Sequence, residues 1–233
     1  MISLQGVDWP VTSNLFCALL MLRFLNVERR LWIDALCIAQ HDDMEKNYQI
    51  PLMGKIYESA ARVIAWLGEA NALTGMAFEA MHEMPILYRI SSAELLDRLV
   101  AISEERSSEQ DSLEWALSQR NIWDEINNLY RRPYWSRLWV FQELVLARKV
   151  LFQCGHWTIS AESLVAFSAQ LNDLIHGQSS LRFSSGRQDE ILTTLHGIKR
   201  SAADEINMFA NDFRNSRAPW FTTLKQIPPQ VST

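Results

Sequence analysis

Two carboxylates stand where a carboxylate is costly. Glu143 lies within Ser136 to Ala147, surrounded by Leu138, Trp139, Val140, Phe141, Leu144, Val145 and Leu146. That pattern predicts a helix apolar on nearly every side, and so a buried one. A carboxyl group placed there must find a hydrogen bond or a counter-charge, or its pKa rises. Carboxyls shifted in this way gather at functional sites. They also occur as half of a structural ion pair, and Arg137 and Arg148 flank this one in the chain. Asp34 poses the same question inside Leu31 to Ile38, where the alternative is a structural bond to a nearby backbone N–H.

Other chemistries find less support. Cys154-Gly155-His156 brings a thiol and an imidazole together in sequence, but from a strand end they project in unrelated directions. Cys37 and Cys154 each end an apolar run, where cysteine acts as a small buried hydrophobe. His41, Asp42, Asp43 and Glu45 have the atoms to hold a hard cation, yet a capped helix start accounts for them equally, and no metal site is assigned. The eight glycines, at 6, 54, 68, 75, 155, 177, 186 and 197, form no G-x-G and no G-x-x-x-x-G-K-[ST]. This argues against an ordinary dinucleotide-binding fold and against a P-loop NTPase.

The elements that must position Asp34 and Glu143 follow from hydrophobic pattern. Asn14 to Leu25 reads as a helix, capped by Thr12, Ser13 or Asn14. Leu31 to Ile38 has the length and apolarity of a buried parallel strand. Asp42-x-x-Glu45 opens a helix that carries Leu52, Met53, Ile56, Tyr57 and Ala60 on one stripe, with Pro51 either kinking it or marking its first main turn. Arg62 to Gly68 is a second strand, so strand, helix and strand form a βαβ unit. Residues 71–131 read as a more polar helical insertion, with starts at Ser91-x-x-Glu94 and Asp111-x-x-Glu114. Lys149 to Gly155 is a third strand. Ile159 to Leu174 is a helix capped by Ser160, His176 to Arg187 is a Ser/Gly-rich loop, and Asp189 to Arg214 is one long amphipathic helix. The strands at 31–38, 62–67 and 149–154 are expected in one sheet, with 71–131 outside it. The Pro-containing tail is expected to be poorly ordered.

Composition bounds the classes. The chain has 233 residues, 48% hydrophobic and 21% charged, which is ordinary for a globular protein. Its net charge of −5 gives no general footprint for nucleic acid or an anionic membrane. Nine Trp call for a large aromatic core or buried anchors. Three widely spaced Cys with no C-x-x-C fit free thiols in a reducing compartment. The apolar run from Leu15 to Leu22 is too short to span a bilayer and lacks the flanks of a secretory signal. A soluble, cytoplasmic protein is expected.

The chain resembles the fungal heterokaryon incompatibility (HET) domain. The resemblance rests on Leu31 to Gln40, then Asp43, Glu45 and Gln49, then Met53, Ile56-Tyr57, Ala60 and Val63 to Gly68, and finally Arg132 to Ala147. These blocks span roughly residues 8–165. The family pattern has Asn at the position of Ala39 and lacks Pro51. It also begins with an apolar strand ending in an A-L-S-Y-x-W-G-like block, which this chain does not show before the helix near Asn14, so the resemblance implies an N-terminally incomplete domain. It further implies a TIR-like fold, in which Ser136, Trp139, Glu143 and Leu144 match the S-x-x-W-x-x-x-E-L helix.

Two functions follow from the resemblance. The first is a self-assembling signalling module in fungal nonself recognition and programmed cell death, with itself or another incompatibility protein as partner, no nucleic acid and no membrane span. The second is TIR-type cleavage of NAD, as substrate and not as resident cofactor. Glu143 would be catalytic, and Asp34, Ser136 and Trp139 would lie on the NAD-binding side. The expected fold is α/β: a short, mostly parallel TIR- or flavodoxin-like sheet with a helical insertion at 71–131, a HET-like domain over 1–170, and a helical extension with a flexible tail over 171–233.

Overall fold

The computed structural model describes residues 1–4, 6–24, 26–87, 120–137, 139–176, 186–199 and 201–216. They form a mixed α/β structure that is mostly helical, with two small sheets. An antiparallel pair, β1 (Ile2–Leu4) and β2 (Val7–Trp9), leads to helix α1 (Ser13–Leu22). Of the three candidate caps, Thr12 serves: its hydroxyl accepts the Leu15 N–H at 3.2 Å.

The segment 31–38 is not a strand. Residues Asp34–Cys37 form a one-turn helix, α2. The Ile33 carbonyl accepts the N–H groups of Leu36 and Cys37 at 2.9 and 2.8 Å, and the Asp34 carboxylate accepts the Ala35 N–H at 2.8 Å. Asp34 thus offers the backbone a local partner in place of a ladder, which is how aspartate competes with strands. A short apolar run does not separate strand from helix by period alone. Cys37, expected buried at a strand end, is accordingly exposed on this turn.

Asp42 caps α3 (Asp43–Gln49), accepting the Met44 and Glu45 N–H groups at 2.9 and 3.2 Å. Pro51 sits in a 3-10 turn, Ile50–Leu52, that feeds α4 (Met53–Ser59), so the missing proline N–H costs nothing there. Strand β3 (Val63–Gly68) then pairs parallel with β4 (Val150–Cys154), and β5 (Trp157–Ser160) adds antiparallel, in the order β3-β4-β5. The sheet is therefore mixed and three-stranded.

The described parts of 71–131 are helical: α5 (Thr74–Leu87) and α6 (Arg120–Tyr130), packed on each other. The two helix starts expected at Ser91 and Asp111 lie outside the described residues. Both described helices feed the centre of the core through Phe78, Met81, Met84, Ile122, Trp123 and Ile126. A short helix α7 (Val140–Leu146) precedes β4. Helix α8 (Ala161–His176) follows β5, and the Ser160 hydroxyl caps it by accepting the Ser163 N–H at 3.1 Å.

The expected single helix over 189–214 is two, α9 (Gly186–Lys199) and α10 (Ala202–Ser216). Ser201 makes the break. Its hydroxyl accepts the Asp204 N–H at 3.2 Å, and Lys199 pairs with Asp204 at 2.8 Å across the corner. Leu195, Ile198, Ala203 and Ala210 from these helices join the same core as the sheet.

The β4–β5 corner depends on Gly155, at φ +55°, whose N–H reaches the Gly68 carbonyl at 2.9 Å. A Cβ at Gly155 would stand 2.7 Å from the Ala70 Cβ. Gly155→Ala is expected to cost roughly 1–3 kcal/mol through left-handed strain alone. The urea midpoint should fall while far-UV circular dichroism stays the same; an unchanged midpoint would show that the corner yields freely.

Candidate functional site

The helix expected from Ser136 to Ala147 is broken, and the break makes the site. Pro133–Ser136 form a 3-10 turn, and Arg137 is extended at φ −76°, ψ 137°. Trp139 then occupies the N-cap position of α7. The Tyr134 hydroxyl donates to Glu143 Oε2 at 2.9 Å. In a continuous helix, nine residues would separate those two side chains by about 13 Å along the axis. The extended backbone at Arg137 folds Tyr134 back over the carboxylate instead.

Glu143 is 5% exposed. Tyr57, from α4, lies near enough for the Glu143 charge to act on its hydroxyl. Arg137 stands 3.6 Å from Oε1, with about half its own side chain in solvent, and its guanidinium lies over the Tyr134 ring, 5.8 Å from the centroid. Of the two flanking arginines, Arg137 is therefore the partner; Arg148 is occupied with the Glu58 carbonyl at 3.0 Å. Asp34 is close enough for its charge to act on both Glu143 and Tyr57.

Burial raises the Glu143 pKa above the ordinary 4.5. Arg137 and the Tyr134 hydrogen bond oppose that shift, while the Asp34 charge adds to it. Burial and the adjacent carboxylate push both tyrosines up, so they stay protonated, and Tyr134 donates. The result is a carboxyl group with one phenolic donor, a second phenol, a half-hydrated cation and a second carboxylate nearby. Chemically it can hold a proton or balance a positive charge.

Of the four residues singled out in the sequence, the structure brings Asp34 and Glu143 together. The Ser136 hydroxyl is turned to the Pro133 carbonyl at 2.8 Å. Trp139 packs half-buried against the core, and its carbonyl receives the Glu143 N–H at 3.0 Å. Ser136 lies outside α7, whereas Trp139 stands one helical turn before Glu143. Tyr57 and Tyr134 were not anticipated. The signal for Tyr134 was Pro133, which suits the first position of a turn and marks a restart of the chain.

The other candidates are structural where described. Cys154 is buried, its thiol raised by burial, and it donates to the Glu69 carbonyl at 3.4 Å. His156 lies instead against the Trp157 ring, 4.6 Å between centroids. Asp43 pairs with Lys46 at 2.6 Å, and Asp42 is the cap. Among the described residues, no group of three His, Cys, Asp or Glu side chains could hold a metal ion. No described helix is long and apolar enough to cross a membrane.

The raised Glu143 pKa sets a pH dependence. The folded protein holds the Glu143 proton more tightly than the unfolded chain does, so this group's contribution is full below pH 4.5 and is lost as pH rises through the folded pKa. Glu143→Gln keeps an acceptor for Tyr134 and should remove that decline. At neutral pH it should change stability by no more than about 1 kcal/mol, because the Arg137 left behind is already half hydrated. Tyr134→Phe, which strips a donor from the buried carboxylate, should cost roughly 1–3 kcal/mol. Denaturation midpoints of the three proteins across pH 4–8 check this. A wild-type midpoint that rises with pH while Glu143→Gln stays flat would contradict the assigned sign.

Comparison with known proteins places this geometry in a family. The sequence profile described as heterokaryon incompatibility protein (HET) matches residues 1–143, more than half of the chain. The chain is also similar to heterokaryon incompatibility protein 6, OR allele, of Neurospora crassa, at 29% identity over 177 residues, covering 68% of this chain and 26% of that protein. It thus spans about a quarter of that relative's length. No solved structure matches the chain. The matched segment contains α2, α4, the 3-10 turn and the start of α7, and with them Asp34, Tyr57, Tyr134, Arg137 and Glu143; the chain belongs to the heterokaryon incompatibility (HET) family.

Proposed function

We propose that the chain is a cytoplasmic signalling module in nonself recognition on hyphal fusion. It associates with itself or with another incompatibility protein, and that association leads to programmed death of the mixed cell. Residues 1–170 carry the module and 171–233 extend it. Family membership implies a role in heterokaryon incompatibility.

The observation that carries the association is the outer face of α1. Phe16 and Leu20, one turn apart, are about 40% exposed, and Met21 and Phe24 are more exposed still, while Ala18 and Leu22 are buried. A helix that buries one side and leaves large apolar groups on the other is suited to a protein partner. Beside it, β3 is the edge of its sheet. Trp66 of that strand donates to Asn14 of α1 at 3.0 Å, and no described strand pairs the outer edge of β3.

In this reading Phe16→Glu combined with Leu20→Glu abolishes concentration-dependent association while leaving the thermal midpoint within a few degrees. Light scattering coupled to size exclusion tests it. A wild-type chain that stays monomeric at every concentration would sink the self-association reading and leave only the partner protein.

A second reading, a TIR-like NAD glycohydrolase using Glu143, is favoured by the cluster of Asp34, Tyr57 and Arg137 around a carboxyl of raised pKa. A carboxylate so placed could balance the charge that develops as nicotinamide leaves. The near-complete burial of Glu143 and the position of Ser136 weigh against it. If it holds, the wild-type chain releases nicotinamide from NAD and Glu143→Gln loses on the order of 10²–10³ in rate. No release by the wild-type chain discards this reading without touching the first.

A further inference from the structure

Two surfaces that precede β3 hold large apolar side chains in solvent, and their charges are opposite. One is the outer face of α1, with Phe16 and Leu20 one turn apart and Phe24 just past the helix end. The other is α3. Its Met44 and Tyr48, also one turn apart, are 83% and 71% exposed, the two most exposed large hydrophobic side chains among the described residues. Apolar groups turned outward in this way mark a surface that gains by being covered.

The α1 surface is cationic. Between residues 14 and 30, Arg23, Arg29 and Arg30 stand against a single acid, Glu28, which leaves +2. The Arg29 guanidinium donates to the Leu22 carbonyl at 2.9 Å and lies over the Phe24 ring, 4.8 Å from its centroid. Neutral partners thus fix it beside the apolar face and leave its charge uncancelled. None of the ion pairs among the described residues uses these arginines. The α3 surface is anionic. Between residues 42 and 50, Asp42, Asp43 and Glu45 stand against Lys46 alone, which leaves −2. Lys46 is taken by Asp43, and no ion pair among the described residues uses Asp42 or Glu45. Glu45 is three residues from Tyr48 and so its neighbour on the helix.

We propose that these surfaces are the two halves of one interface between copies of this chain: the α1 face of one copy seats on the α3 face of the next. The inference rests on the self-association reading above and gives it a geometry. Two α1 faces laid together set +2 against +2, and two α3 faces set −2 against −2, so pairing like with like is opposed. The unlike pairing is attractive and covers Phe16 and Leu20 with Met44 and Tyr48. A contact between different faces leaves each copy with one face free, so association passes beyond the dimer into a ring or an open chain.

Light scattering coupled to size exclusion, on the whole chain and two variants, tests the pairing. Phe16→Glu with Leu20→Glu disables the α1 face, and Met44→Lys with Tyr48→Lys disables the α3 face. All of these side chains stand in solvent, so far-UV circular dichroism of both variants should match wild type. Each variant alone is expected to be monomeric. Mixed in equal amounts, they are expected to form a dimer of twice the 26.9 kDa chain mass and nothing larger, since each supplies the face the other lacks. Wild-type assemblies should loosen as salt rises, because the paired charges are exposed. Arg23→Glu with Arg30→Glu, which keeps every apolar side chain, should weaken them about tenfold or more. If the chain with Met44→Lys and Tyr48→Lys assembles as wild type, or if the two variants stay monomeric when mixed, the α1–α3 pairing is overturned while self-association through α1 stands. Assembly indifferent to both salt and the arginine substitutions also overturns the pairing. A wild-type chain that is monomeric at every concentration overturns the pairing and the self-association reading together.

Discussion

Burying the carboxyl group of Glu143 is the constraint around which the centre of this chain is arranged. The residues flanking it are apolar because α7 packs between α4 and α10, and such surroundings cannot solvate a charge. The donors must therefore come from the protein itself. The extended backbone at Arg137 supplies one by returning Tyr134 onto the carboxylate, and α4 brings the Tyr57 ring beside it. Tyr134 in turn stands edge-on to Trp135 and Phe152, at 5.2 and 6.2 Å between ring centroids, which ties the site to the central strand β4. Trp135 is itself held by its indole N–H to the Leu129 carbonyl at the end of α6. One polar requirement thus links a turn, three helices and the sheet.

The two halves of the molecule are built differently. From β3 onward, the large apolar side chains among the described residues are buried or half-buried, Trp157 apart, and the aromatic groups interlock. Before β3, the chain forms a hairpin, short helices and turns whose Val7, Trp9, Phe16, Leu20, Phe24, Met44 and Tyr48 remain in solvent. Apolar area left exposed on such a scale is a source of association free energy, since about 25 cal/mol is gained for each Å² withdrawn from water. The dense half gives a packed base, and the open half keeps large apolar side chains in solvent.

The segment beyond the family match is part of that dense base. Leu164, Phe167 and Leu171 of α8 complete the core over α5, and α9 and α10 close it against α6 and α7. Ser168, wholly buried in α8, meets the Tyr130 hydroxyl at 3.4 Å. The matched residues therefore find part of their packing partners outside the match.

Much was legible in the sequence because it is local. Asp42 and Ser160 announce their helices through a side-chain oxygen that reaches a backbone N–H two or three residues on, and such bonds form wherever the residues are adjacent. The apolar runs at 63–68 and 150–154 are strands because β-branched and aromatic side chains fill a buried sheet. The burial of Glu143 could be read from its neighbours, as could the likeness to the HET family from its blocks. What the tertiary structure alone decided is everything that depends on a distant partner or a competing local bond. Leu31 to Ile38 is as apolar as a strand, but Asp34 satisfies the backbone on the spot and turns it into a helix. Ser136 to Ala147 has a helical pattern throughout, yet the turn begun by Pro133 and the pull of the buried carboxylate on Tyr134 open it at Arg137. Ser136 keeps its spacing from Glu143 in sequence and loses it in space, while Trp139 keeps both. Periodicity records which residues are apolar; where a buried charge finds its donors is settled only when the chain has folded.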